Sequence, residues 1–125
     1  MVLVDVELDG ASKRSEIAGV SAKEVASAVA ALDGRSEIEL LGDSGAWLGI
    51  CGGPLLFFLG FTSESGSIWQ ALADEPPDGA IEVLVGGQPT TLAPQFLVTI
   101  DAAKEAAMHF VEVEDRCPTF EWEEM

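Results

Sequence analysis

Residues 46–61, AWLGICGGPLLFFLGF, constrain the fold of this chain more than any other stretch, because no position in it carries a charge. Two apolar runs, AWLGIC and LLFFLGF, are parted by Gly52-Gly53-Pro54. Glycine reaches positive φ cheaply, while proline fixes φ and removes a backbone donor, so neither run continues through the break. A single buried helix would have to absorb Gly49, Gly52, Gly53 and Pro54, at roughly 1 kcal/mol per glycine and 3 for proline. The stretch is therefore read as two antiparallel neighbours joined by a tight connection. Residues 55–59 show no apolar/polar alternation, which predicts a strand covered on both faces. These two strands are expected at the centre of a sheet that the rest of the chain covers.

The flanking segments supply that sheet and its cover. Residues 2–8 alternate, with Val4, Val6 and Leu8 opposite Asp5 and Glu7, as in a half-buried strand. Residues 10–20 read as a connector carrying Lys13 and Arg14. Ser21 and Glu24 have the spacing of a capping box, and Val25, Ala28, Val29 and Leu32 share one helical face, so a helix is predicted over 22–32 with Gly34 as its stop. Residues 36–41 alternate again; 42–45 form a turn by composition; 67–72 return as a strand bearing Trp69. Asp74 to Gly79 is a stiff acidic loop, and 80–85 a clear strand ending at Gly86-Gly87. Residues 90–94 read as irregular and 95–100 as a short edge strand. Asp101 is the expected cap of a second helix over 102–113, whose stripe is Ala103, Ala106, Ala107, Phe110 and Val111. Pro118 blocks further helix, and the alternation in TFEWEEM suggests a last strand or a docked tail. The predicted fold is α+β: one domain over residues 1–125, a mostly antiparallel sheet of five to seven strands with two helices packed against it.

A chain of 125 residues with 48% apolar content buries about two-thirds of its unfolded surface and does not behave as a disordered acidic tail. No run approaches the roughly 18 apolar residues that span a bilayer. The opening MVLVDVELDG lacks a basic region before its apolar residues, so no signal peptide is read and a cytoplasmic location is expected. Cys51 and Cys117 have no metal-ligand spacing and read as free thiols.

The charge is the outlying property. Twenty-two acids against six bases give a net −16, whereas a small soluble domain needs a magnitude of only about 2 to 8. Between residues 36 and 103 nine acids stand without a Lys or Arg. Such a field repels nucleic acid and anionic membranes, and it attracts and speeds encounter with a basic protein surface.

Catalytic signatures are missing. The single histidine, His109, falls late in the second helix, where an imidazole near the helix C-terminus is ordinary. No nucleophile elbow, zinc-deaminase signature, phosphate-binding glycine pattern or calcium loop occurs. Glu37 and Glu39 could pair for acid–base work, but on a half-buried strand they read first as solvated charge. What remains is recognition: carboxylates beside aromatic residues suit an Arg- or Lys-lined cleft. Each tryptophan is open to two readings, core packing or exposed anchor.

The chain resembles the first-numbered immunity protein family of bacterial polymorphic toxin systems. The resemblance is carried by Val25, Leu32 and Gly34; by Gly42-Asp43 with Trp47-Leu48-Gly49-Ile50 and Gly52-Gly53-Pro54; by Glu82-Val83 with Gly86-Gly87-Gln88; by Ala102, Ala106, Ala107 and Phe110; and by Pro118 with Phe120-Glu121-Trp122. It covers residues 21–125. It implies a protein made beside a secreted toxin, which it binds and neutralises in the producing cell; in this family the toxin is often a zinc-dependent nucleic-acid deaminase. Such an enzyme takes a base into a pocket beside a basic track. A strongly acidic protein in that track would compete with substrate phosphates, by blockade alone, with no cofactor and no chemistry of its own. The residues expected to contact the toxin, from charge and exposure, are Asp43, Glu64, Trp69, Asp74, Glu75, Asp78, Glu121, Trp122 and Glu123. No direct nucleic-acid or membrane partner is expected, and a homodimer through exposed strand edges stays open. The rival readings are an acidic adaptor docking a basic protein outside any toxin system, and an enzyme or small-ligand binder, which a dry pocket lined by converging polar groups would favour.

Overall fold

A computed structural model describes residues 2–7, 13–34, 36–76, 81–85 and 88–125. Leu8, Asp78, Gly79, Gly86 and Gly87, all named above, lie outside the described residues. The fold is α+β. Its strands are β1 (Val2–Glu7), β2 (Lys13–Ala18), β3 (Ser36–Leu41), β4 (Trp47–Gly52), β5 (Leu56–Thr62), β6 (Ile68–Ala71), β7 (Ile81–Val85), β8 (Gln88–Leu92), β9 (Val98–Thr99) and β10 (Trp122–Glu124). Helix α1 spans Ala22–Ala30 and α2 spans Ile100–Val113. The main sheet runs β10-β6-β5-β4-β3-β1-β2, with the two-residue β9 beside the start of β5, and every pairing is antiparallel.

The uncharged stretch forms the two middle strands. Residues of β4 and β5 whose numbers sum to 109 face each other, from Trp47 opposite Thr62 to Gly52 opposite Phe57. At the connection Gly53 has φ +97°, and a side chain there would run into the backbone carbonyl of Leu32, so both conformation and space require glycine. The expectation that β5 is covered on both faces is corrected. Phe57, Leu59 and Phe61 are buried, while Leu56, Phe58, Gly60 and Thr62 between them are half-buried. Both helices lie on the first face only. Phe58 and its neighbours face away from them by strand alternation, which large apolar side chains on both faces hide in the sequence.

The core between sheet and helices is built from Ile38, Leu40, Leu48, Ile50, Phe57, Leu59, Val25, Val29 and Phe110, among others. In α1 the Ser21 hydroxyl accepts from the Glu24 N–H at 3.2 Å, and the Ser21 N–H donates to the Glu24 carboxylate at 3.2 Å, completing the capping box. The helix ends at Ala30, a little before the predicted Leu32, which is still buried in the core. In α2 the cap is Thr99, not Asp101: its hydroxyl accepts from the Ala102 N–H at 3.3 Å. Asp101 lies in the first turn, where its charge complements the helix dipole.

Four further expectations change. Leu3, at an odd-numbered position of β1, is buried, whereas the expected alternation puts the apolar side on the even-numbered positions. Residues 13–18 form an outermost strand paired only with β1, a position that tolerates charge and shows little alternation. Residues 88–92 pair with β7 in a separate hairpin, which also lies against β4. Pro89 is accepted there because a two-stranded hairpin leaves one side of each strand unpaired. The short edge strand expected over 95–100 is reduced to β9 after a 3₁₀ turn at Pro94–Phe96. The tail does form a strand, β10, on β6. Among the described residues no helix is long and apolar enough to cross a membrane.

Candidate functional site

Acidic residues gather along the β5–β6–β10 half of the sheet. At one end, the turn before β4 and the turn before β6 approach each other, with Gly45 against the Cβ of Glu64. The last turn of α2 arrives at the same place. Glu114 closes that helix at φ 54°, its N–H donating to the Phe110 carbonyl at 2.8 Å. Its Oε1 accepts from the Ser44 N–H at 2.9 Å and from the Ser44 hydroxyl at 2.8 Å. Gly42 is bare because the Glu114 carboxylate fills the space a side chain would need. The Ser44 N–H, then its hydroxyl, with help from the Asp43 N–H, hold the Glu114 carboxyl below its ordinary range, against a small opposing effect of desolvation. Beside this knot opens a cleft of about 470 Å³ lined by Phe61, Glu64, Trp69, Asp115 and Arg116. The Arg116 guanidinium lies 3.7 Å from the centre of the Trp69 ring and 3.8 Å from the Asp115 carboxylate.

At the other end, Asp74 and Glu75 are exposed on the rim of a cleft of about 410 Å³ lined also by Leu56, Leu72, Thr99 and Phe120. Strand β10 joins the two ends. The Leu72 N–H donates to the Glu121 carbonyl, Glu123 stands opposite Gln70, and Glu124 stands opposite Trp69. Glu121, Glu123 and Glu124 are all exposed. The fold thus sets Asp74, Glu75, Glu121 and Glu123 along one border and Asp43 and Glu64 at its far end, while Asp78 lies outside the described residues. The two tryptophans expected as anchors are turned toward the helices instead. Trp122 donates its indole N–H to the Cys117 carbonyl at 3.0 Å and stacks on Phe120 with ring centres 5.4 Å apart. Trp69 is half-buried under Arg116.

Sequence reasoning missed Glu114, Asp115 and Glu124, which extend the acidic border. The charged pair after the end of the α2 stripe was the available signal. It also missed that Trp47, 38% exposed on the face without helices, is the most accessible tryptophan. The chemistry of the remaining candidates is quiet. Burial first, and then the charge of Glu37, push the Cys51 thiol up to about 12, so it carries no thiolate at neutral pH. Cys117 is buried, and both cysteines are free. Among the described residues no group of three His, Cys, Asp or Glu side chains is placed to hold a metal ion. In comparisons with known proteins no family model matches the chain, and no curated protein shows significant similarity to it.

Proposed function

We propose that this protein is an immunity protein that binds and neutralises a cognate bacterial toxin by filling the toxin's basic substrate cleft. The resemblance noted above makes a nucleic-acid deaminase the favoured toxin. The observation that carries the reading is the acidic border: carboxylates of two turns, one loop, the end of α2 and strand β10 line one half of the sheet, with Arg116 held among them against Trp69, and the turns and loop come from residues 36–103, where nine acids stand without a Lys or Arg. A surface of that sign meets the track that a nucleic-acid enzyme keeps for phosphates. Exposed ion pairs contribute only about 0–1 kcal/mol each, so these charges set orientation and encounter rate, and apolar contact has to supply the remaining affinity.

The test is a pull-down and co-expression assay with the C-terminal domain encoded by the neighbouring gene. The protein should capture that domain and rescue cells that make it. A variant with Asp74, Glu75 and Asp78 all changed to Lys should stay folded and rescue less well. Full rescue by that variant removes the loop from the interface. Capture of a basic protein that is no toxin would favour an adaptor role instead.

A further inference from the structure

The face of the sheet without helices holds a trough made by the absence of side chains. Glu39, Gly49, Gly60, Gln70 and Glu123 stand in one register row across β3, β4, β5, β6 and β10. The two glycines sit mid-strand with no positive φ. Among the described residues a Cβ at Gly60 would meet only Phe58, at 3.9 Å, and one at Gly49 would meet Trp47 at 3.4 Å and the Gly60 carbonyl at 3.8 Å. Neither backbone conformation nor these neighbours require glycine, and glycine inside a strand weakens it by roughly 0.5–1 kcal/mol. Such a position often marks close approach by a ligand or another backbone. Trp47 and Ile68 wall one side of the trough and Phe58 the other, enclosing a volume of about 260 Å³. Trp47 and Ile68 remain 38% and 46% exposed with the β7–β8 hairpin in place. The volume falls below the roughly 300–1,000 Å³ of small-molecule pockets and suits one or two side chains. The row has a carboxylate at each end, Glu39 and Glu123.

We infer that this trough takes the apolar side chains of an extended segment of a basic partner protein, with an Arg or Lys on either side to meet Glu39 and Glu123. Four inter-strand spacings of about 4.8 Å separate the two glutamates, roughly 19 Å, which an extended chain at about 3.4 Å per residue crosses in about six steps, so that the first and seventh side chains, which share a face, reach both. The inference rests on the reading above in one respect, the basic character of the partner. It supplies the apolar anchor that exposed charges do not.

The probe is the capped peptide Arg-Ala-Leu-Ala-Phe-Ala-Arg, whose Arg, Leu, Phe and Arg share one face of an extended chain, followed through the indole N–H resonance of Trp47, assigned with Trp47→Phe. The peptide should shift that resonance saturably. Gly60→Val, which fills the trough with a good strand former, should weaken binding at least tenfold without lowering the melting temperature. Should that variant fold poorly, the double change Glu39→Gln with Glu123→Gln should weaken binding several-fold in its place. Equal shifts from Arg-Ala-Ala-Ala-Ala-Ala-Arg or from Glu-Ala-Leu-Ala-Phe-Ala-Glu would overturn the inference, as would wild-type binding by the filled variant. A Trp47 resonance that moves with protein concentration alone would assign the trough to a second copy and overturn it as well. No toxin enters this experiment, so a failed rescue assay and a failed trough are told apart.

Discussion

At Glu114 the end of a helix and the tip of a turn are joined through one carboxylate, and that junction carries a pH dependence of known sign. Its folded-state pKa lies below the ordinary 4.5. The stabilisation it gives is therefore fully present above the unfolded value and is lost as pH falls through the lowered folded value. Glu114→Gln should reduce the melting temperature at neutral pH, and the gap to the wild type should shrink as pH drops below about 4; a gap that stays constant into acid would show that the charge of Glu114 is irrelevant. Cys51 makes the opposite statement. With its pKa near 12, the folded protein should react with a thiol reagent at neutral pH far more slowly than the unfolded chain does, and rapid native labelling would contradict its burial. These two residues also mark what a sequence discloses at this scale. Ser21 and Glu24 are three apart and their mutual capping is readable directly. Glu114 and Ser44 are seventy apart, and nothing local announces their bond.

Elements are legible where one periodicity decides them and obscure where an edge position relaxes it. The central strands, both helices, β3, β6 and β7 all follow from apolar pattern and turn residues. Strand β2 was unreadable because an outermost strand needs no apolar face of its own. Strand β8 is obscured by Pro89, although Gly86-Gly87 between two extended runs is a hairpin signal. The trough was within reach: once β4 and β5 are folded about residues 54 and 55, Gly49 and Gly60 must face each other. The start of α2 gives the test at this scale. Thr99→Ala should cost about 1 kcal/mol as the loss of a cap, while Asp101→Ala should cost only about 0.3–1 kcal/mol through the helix dipole. Chemical denaturation of both variants decides it, and a larger loss at Asp101 would reverse the assignment.

For the molecule as a whole, a net charge of −16 has its main expected consequence in kinetics. Association with a basic partner should slow as ionic strength rises, because the field is screened beyond about 10 Å at 0.1 M salt, while dissociation should change much less. A stopped-flow series across salt concentrations measures this, and an association rate indifferent to salt would give the charge some other purpose. The placing of carboxylates on the border and apolar surface on the open face comes from three-dimensional adjacency: β10 follows β6 by some fifty residues yet lies along it. That last strand has one more effect. It is three residues long, and two of them are glutamates. Another copy adding itself along this border would find almost no ladder to extend and would stack carboxylate upon carboxylate, which bars the border from templating fibres. A border of this kind lets the protein accumulate without polymerising along that side.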